Sequence, residues 1–269
     1  MEPPLIDTHT HFESFARRQV LDAALRDARA AGVTALVTIG TSSQDWALYR
    51  EIAGRHPGLV HYSAGLHPCS VDEQWSRELA QLPAFWTDPA PRPVALGECG
   101  LDRFHLPKDE AEAEGIFRWQ REAFAEQLRQ AQALGCPVVV HSRGAFAECV
   151  AMVDASGIDW RRVVFHCFTE GEAEMRQLLE RGGYGSFTGI LTYKSAETVR
   201  AAAKLQGLER FMLETDAPYL TPLPHRGKPN QPAYVRHTAE FAAELFGVPL
   251  ETLAAVSTDN ARRFFSLPA

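Results

Sequence analysis

The sequence lacks several features that would have fixed its class at once. It has no apolar run long enough to cross a bilayer: the stretch Gly32–Ile39 is among the longest, and a spanning helix needs about 20 such residues. The opening residues are acidic and carry Pro3 and Pro4. No basic stretch leads there into an apolar one, so no secretory signal is read. Its 5 cysteines are odd in number and show no C-x-x-C spacing. A disulfide framework is therefore not expected, and reduced thiols in a cytoplasm are. There is no excess of positive charge either, the net charge being −7. That argues against a protein that coats duplex nucleic acid with a broad basic surface. It leaves open an enzyme that meets phosphates through metal ions and a few local arginines. Fixed-period repeats and low-complexity tracts are also missing.

What is present is a globular composition, 45% hydrophobic and 23% charged, over 269 residues. A single α/β barrel commonly has this length. Short β-branched or apolar runs alternate with segments of helical period. Eight strands are expected, at 5–11, 34–40, 60–66, 94–100, 137–141, 162–167, 184–187 and 211–214. Several are near-continuous apolar runs, as parallel strands buried on both faces require. Helices are expected between them, among them 20–31, 120–134 and 172–181, each closed by glycine. The proline-rich segment 220–232 reads as an ordered loop. No composition shift marks a boundary, so residues 1–269 are expected to form one domain. The pattern predicts the α/β class and a (β/α)8 TIM barrel.

That fold places its chemistry at the C-terminal ends of the strands, and ionisable residues recur there. The first strand runs into His9 and His11, two residues apart and so on one face of a strand. The third ends at His67, the fourth at Glu98 and Asp102, and the fifth at His141 and Arg143. The sixth carries His166, and the eighth runs Glu214-Thr215-Asp216. Taken singly, each has an ordinary explanation. A buried histidine is usually a hydrogen-bonded core residue, a strand-end Asp often caps a helix, and Glu98 could pair with Arg103 or Arg143. Taken together, His9, His11, Glu98, His141, His166 and Asp216 form a mixed nitrogen and oxygen ligand set suited to Zn²⁺, Mn²⁺ or a related divalent ion. Six ligands exceed the need of one four-coordinate ion. Two ions account for the surplus, with Glu98 as the bridge. His9, His11 and Asp216 are then expected toward one ion, and His141 and His166 toward the other. Cys99 and Cys167 each follow a ligand directly, so period two sends them toward the helices as packing residues. Cys69 reads as an inert loop thiol. Asp102 reads either as a partner of the ligands or as a helix cap.

The motifs Asp7-Thr8-His9-Thr10-His11-Phe12, Gly65-Leu66-His67-Pro68, Gly97-Glu98-Cys99-Gly100-Leu101-Asp102, His141-Ser142-Arg143 and Glu214-Thr215-Asp216-Ala217-Pro218-Tyr219-Leu220 together resemble the TatD family of metal-dependent hydrolases. The stretch from Thr221 to Pro232 and the closing Asn260-Ala261-Arg262-Arg263-Phe264-Phe265 resemble it too, so the likeness runs the length of the chain. It implies an amidohydrolase-type barrel and a divalent-metal deoxyribonuclease, often with 3′→5′ exonuclease action. It also implies the same six ligands. Two departures, Arg103-Phe104 where the family usually has an aromatic pair and Gln231 where it often has glutamate, lie near the expected substrate mouth and bear on specificity.

The expected reaction is attack of metal-activated water on a phosphodiester, with Asp216 and Glu98 as the catalytic carboxylates. The ions are expected to be Zn²⁺ or Mn²⁺ at rest, with Mg²⁺ able to support activity. His67, Arg143, Lys194, Arg226 and Lys228 are candidate phosphate contacts, arginine being suited to a bidentate grip. For Lys194 and Lys228 a solvated surface role weighs equally. Tyr219 could stack on a base or simply pack. The expected partner is DNA, single-stranded or at 3′ ends, with no membrane and a monomeric chain. The main rival is an amide or ester hydrolase on the same scaffold, such as an aminoacyl-tRNA deacylase. Its commonest form uses a carboxylated lysine as bridge. Lys108, Lys194, Lys204 and Lys228 are the lysines here, and none falls on the fourth strand. A barrel retained only for binding, with a structural ion, and an endonuclease acting at damaged sites are the other readings.

Overall fold

A computed structural model of the chain describes residues 2–87 and 91–268. All eight expected strands form: β1 (Leu5–Thr10), β2 (Val33–Thr38), β3 (Val60–Ala64), β4 (Ala95–Asp102), β5 (Val138–Arg143), β6 (Val163–Phe165), β7 (Tyr184–Phe187) and β8 (Met212–Leu213). They follow chain order in the sheet, and helices separate each from the next. This is the (β/α)8 pattern of the α/β class. Internal contacts divide the chain into two compact units. The first draws on Met1–Thr38, His56–His61 and His166–Ala269, and the second on Ile39–Arg55 and Tyr62–Phe165.

In the first unit β7 pairs in parallel with β8, and β1 with β2. The chain just after β8 joins β1 through a parallel bridge between Thr10 and Ala217. Aromatic packing supports these strands. The rings of Phe187 and Phe211 stack with centroids 5.3 Å apart, and Phe246 meets Phe211 edge-on. Asn260, on the helix Leu250–Phe265, donates from Nδ2 to the carbonyls of Leu208 and Phe211. That pair of bonds fixes the entry into β8.

In the second unit β3, β4, β5 and β6 pair in order, all parallel. The helix Glu110–Leu134 buries Phe117, Ala123, Phe124, Leu128 and Ala131. It begins at Glu110, well before the expected Gln120. Its first turns are polar and carry no apolar stripe to read. They are instead set by the Asp109 side chain, which accepts the Glu112 backbone N–H at 2.9 Å.

β4 departs from regular alternation. Leu96 stands opposite Val138 and Cys99 opposite Val140, with a register shift between them. Three steps on one strand face two on the other, as in a bulge. Gly97 and Gly100 absorb the distortion at φ +137 and +142, a region that side chains rarely enter. The period-two argument for Cys99 therefore fails at this point, although the thiol is fully buried as expected. The same argument fails for Cys167 for another reason. β6 ends at Phe165, and Cys167 turns at φ +44 beyond it, half-buried, with Sγ 4.0 Å from Thr188 Oγ1.

Candidate metal centre

Among the described residues, ligand-type side chains gather in each of the two units. In the first unit β1 delivers Asp7 and His9, both fully buried, and His11 follows directly. Asp7 ties this strand to the chain leaving β8. Its Oδ1 accepts the Thr215 N–H at 2.9 Å, and its Oδ2 accepts the Thr215 hydroxyl at 2.6 Å. The next residue, Asp216, sits in the left-handed region at φ +54, which Asp tolerates better than most residues. It is held there because its N–H donates to the His9 carbonyl at 2.8 Å, while the His11 N–H donates to the Ala217 carbonyl at 2.8 Å. The turn carries the Asp216 carboxylate to the two imidazoles.

The resulting triangle is compact. His9 Nε2 and His11 Nε2 are 3.2 Å apart. Asp216 Oδ1 lies 3.6 Å from the first and 3.3 Å from the second. A tetrahedral ion with bonds of about 2.0–2.1 Å separates its ligand atoms by about 3.3–3.4 Å, so these three atoms already have the spacing of one face of such a site. The three imidazoles that surround Asp216 act on its charge. Burial alone raises the carboxyl, but the hydrogen bond from His11 and the fields of His9, His11 and His166 outweigh it and hold it below the usual value. The ring of His166 stacks on His9, centroids 3.9 Å apart. Behind it stands Glu214, fully buried, with Oε1 3.5 Å from His166 Nδ1. Glu214 is fixed by the Cys167 N–H at 2.6 Å and the Ser186 hydroxyl at 2.5 Å.

In the second unit β4 supplies Glu98 and Asp102, and β5 supplies His141. Glu98 is held by its own N–H, which donates to the Gly40 carbonyl. The preceding Gly97 carbonyl accepts the Ser63 hydroxyl at 2.6 Å. His141 lies between two carboxylates, with Nδ1 2.9 Å from Glu98 Oε1 and Nε2 3.0 Å from Asp102 Oδ2. A neutral imidazole has one N–H and one lone pair. It can donate to one carboxylate only, and its lone pair then faces the other. A cation on that side resolves the conflict, so the donor set fits a divalent ion at Glu98 and His141. With an ion there, Asp102 would take the Nε2 hydrogen and orient the ring, as carboxylates do behind a metal-binding histidine. Burial alone raises the Asp102 carboxyl, but hydrogen bonds from His141 and His105 hold it well below its ordinary value.

His67 joins the same cluster, its Nε2 3.4 Å from Glu98 Oε1. Its other nitrogen, Nδ1, accepts the Cys69 backbone N–H at 3.0 Å. The hydrogen of the neutral ring therefore sits on Nε2, which makes His67 a donor there and not a ligand.

A match to the family of TatD-related DNases spans residues 6–266. The chain belongs to the TatD family. An Escherichia coli protein described as an uncharacterized metal-dependent hydrolase, YcfH, is 36% identical over 98% of this chain and 97% of its own length. A protein of Cronobacter turicensis described as the 3′-5′ ssDNA/RNA exonuclease TatD is 35% identical over 91% of each chain. The crystal structure of the E. coli TatD homologue YjjV superposes with a TM-score of 0.87 at 28% identity, covering 98% of both chains. The chain is thus a metal-dependent hydrolase of the (β/α)8 class. Among its described residues no helix is long and apolar enough to cross a membrane.

The remaining expected residues divide by environment. Arg143 is exposed and lies over the Phe104 ring at 4.0 Å. Arg103 is occupied by Glu148 at 2.8 Å, so the alternative of an Arg103–Glu98 pair does not hold. Arg226 lies over the Tyr193 ring at 3.9 Å, while Lys194 and Lys228 are exposed. Tyr219 is 63% exposed, with its ring edge toward His11 at 6.4 Å.

Sequence reasoning passed over Asp7, Glu214 and two glutamines. Gln127 exchanges two hydrogen bonds with the Leu66 backbone, and Gln120 bonds both the Pro68 carbonyl and the Asp102 N–H. Together they hold the His67 loop and the end of β4. Their signal was present as Gln120 and Gln127, spaced seven apart within the buried stripe of a helix.

Proposed function

We propose that this TatD-family hydrolase is a deoxyribonuclease that removes nucleotides 3′→5′ from single-stranded DNA or 3′ ends. The observation that carries the reading is the triangle of His9, His11 and Asp216, set at metal-ligand spacing beside the His166–Glu214 pair. The similarity to a protein described as a 3′-5′ ssDNA/RNA exonuclease supports the choice of substrate. The proposal assigns two divalent ions, Zn²⁺, Mn²⁺ or Mg²⁺, to His9, His11, Glu98, His141, His166 and Asp216. Residues 1–269 act as one monomeric domain, in a reducing compartment such as the cytoplasm that suits five free cysteines.

When bound, such ions supply Lewis acidity and water acidic enough to yield hydroxide near neutral pH. The chain does the rest. Asp216 orients the attacking water and accepts its proton at a carboxylate oxygen. His67 donates from Nε2 to a phosphoryl oxygen, the hydrogen being kept on that nitrogen by the Cys69 N–H. Arg143, stacked on exposed Phe104, offers a planar pair of donors to a phosphate. Arg226, Lys194 and Lys228 add positive charge for the following nucleotides. A net charge of −7 leaves such contacts few, which suits an enzyme that engages strand ends more than one that coats duplex.

The test is digestion of end-labelled single-stranded oligonucleotides with and without chelator, beside amide and aminoacyl-ester substrates. Release of mononucleotides from the 3′ end, abolished by chelation and restored by Mn²⁺ or Mg²⁺, is the expected result. Turnover confined to the amide or ester substrates transfers the chemistry to the rival reading. Internal cuts alone make the enzyme an endonuclease.

A further inference from the structure

A third group of ligand-type atoms lies in the second unit, outside the six proposed ligands. Cys69 Sγ is 3.6 Å from Asp102 Oδ2 and 3.7 Å from His105 Nδ1, and the last two atoms are 2.8 Å apart. A thiolate, a carboxylate and an imidazole on one tetrahedral zinc ion, with bonds of about 2.3, 2.1 and 2.0 Å, have sulfur about 3.5–3.6 Å from the other two. The observed sulfur distances match. The oxygen–nitrogen pair needs to open by roughly half an ångström, which is the change expected when a shared proton gives way to an ion.

The arrangement is built by the fold. Asp102 is fully buried at the end of β4, and its Oδ1 accepts the His105 N–H at 2.9 Å, which fixes where Oδ2 points. Cys69 sits in the short 3₁₀ turn Pro68–Ser70, capped by His67. Gln120 bonds the Pro68 carbonyl with one end of its amide and the Asp102 N–H with the other. One buried side chain therefore sets the spacing of two of the three groups.

A nucleophilic role for this thiol does not fit. Asp102 and Cys69 approach the same imidazole nitrogen, whereas activation of a thiol by a histidine needs the carboxylate on the far nitrogen. Burial, then the charges of Asp102 and Glu98, push the Cys69 thiol up to about 12. The anionic crowding that suppresses the thiolate is what a cation relieves.

We propose that Cys69, Asp102 and His105 bind a thiophilic divalent ion, Zn²⁺ by its chemistry, with solvent at the fourth position. Binding releases the Cys69 S–H proton to water. The imidazole hydrogen moves by solvent exchange from Nδ1 to Nε2, the ring being 51% exposed, so that Nδ1 ligates as a neutral donor. One thiolate, one carboxylate and one divalent cation leave the site neutral. The site adjoins the hydrolase cluster through Asp102, whose Oδ2 also faces His141 Nε2.

Cobalt substitution separates this site from the other, because none of the six proposed hydrolase ligands contains sulfur. Metal-stripped protein titrated with Co²⁺ is expected to show a thiolate-to-cobalt charge-transfer band in the near ultraviolet. The band should vanish in Cys69→Ser and persist in Cys167→Ser, and Cys69→Ser should bind one ion fewer than the parent. His105→Ala gives a second route, with the band weakened and the affinity behind it lowered at least tenfold. Visible d–d bands of bound cobalt without any charge-transfer band overturn the proposal while leaving the hydrolase site intact. A band that survives Cys69→Ser, or one lost in Cys167→Ser, overturns it as well. Failure of the parent to bind Co²⁺ at all removes both sites.

Discussion

At the scale of single residues, hydrogen positions decide roles that residue type leaves open. His67 and His141 both face Glu98, yet only His141 has its second nitrogen on a carboxylate. His67 has its second nitrogen on a backbone N–H. His67→Gln is therefore expected to leave metal content unchanged while weakening substrate, read as a rise in KM for an oligonucleotide with little change in bound metal. Loss of an ion in that variant would make His67 a ligand. Glu214 makes a complementary case. It touches His166 while accepting two donors from the surrounding chain, the pattern of a residue that orients a ligand. Glu214→Gln is expected to lower metal affinity by about 10–100-fold, measured by competition with a chromophoric chelator, with the protein still folded. Unchanged affinity removes Glu214 from the site.

At the scale of elements, β4 is held closely against β5. A Cβ on Gly100 would collide with the His141 carbonyl oxygen, and the backbone there has φ +142. Steric overlap and an unfavourable dihedral act together, against a neighbour that is itself backbone. Gly100→Ala is expected to cost roughly 3 kcal/mol or more, seen in urea unfolding, and to disturb His141. On β3, His61 is partly buried, and burial lowers its pKa below 6.5. The folded state then binds fewer protons than the unfolded chain just below that value. Stability from this group is present above about pH 6.5 and is lost as pH falls toward the lowered folded value. His61→Leu is expected to narrow the gap between melting temperatures at about pH 7.5 and pH 5. A gap as wide as in the parent shows that other groups carry the acid sensitivity.

At the scale of the whole molecule, the clusters concentrate like charge and lone pairs. Asp216 and Asp102 are held below the usual carboxylate value, Glu98 stands close to His141, and the imidazoles present nitrogen atoms about 3 Å from other polar atoms. A bound ion relieves that crowding in the folded state alone, because the ligands are scattered along the unfolded chain. Free ion at 100 times its dissociation constant adds about 2.7 kcal/mol of stability for one site. Stripping with chelator is expected to lower the melting temperature together with hydrolysis, and adding Zn²⁺ or Mn²⁺ to restore both. A melting temperature indifferent to chelator would dissociate metal from this structure.

The sequence alone determined the eight strands and their alternation with helices, and it nominated the six residues proposed to hold metal. Those features follow from local composition: apolar runs of strand length, glycine stops, and ionisable residues placed where strands end. It could not assign the tasks of those residues. Asp7 and Thr215 are bonded across 208 positions and Leu66 and Gln127 across 61, and no local pattern announces either pair. The bulge in β4 breaks the alternation on which an orientation of Cys99 rests, because register belongs to two strands together. Tertiary structure decided which histidine carries its hydrogen toward Glu98, which carboxylate steadies which ring, and that Cys69, read as inert, stands beside Asp102 and His105. The physical reason is that a side chain's protonation and direction depend on the partners that folding brings to it, whereas a strand's existence depends mainly on its own residues.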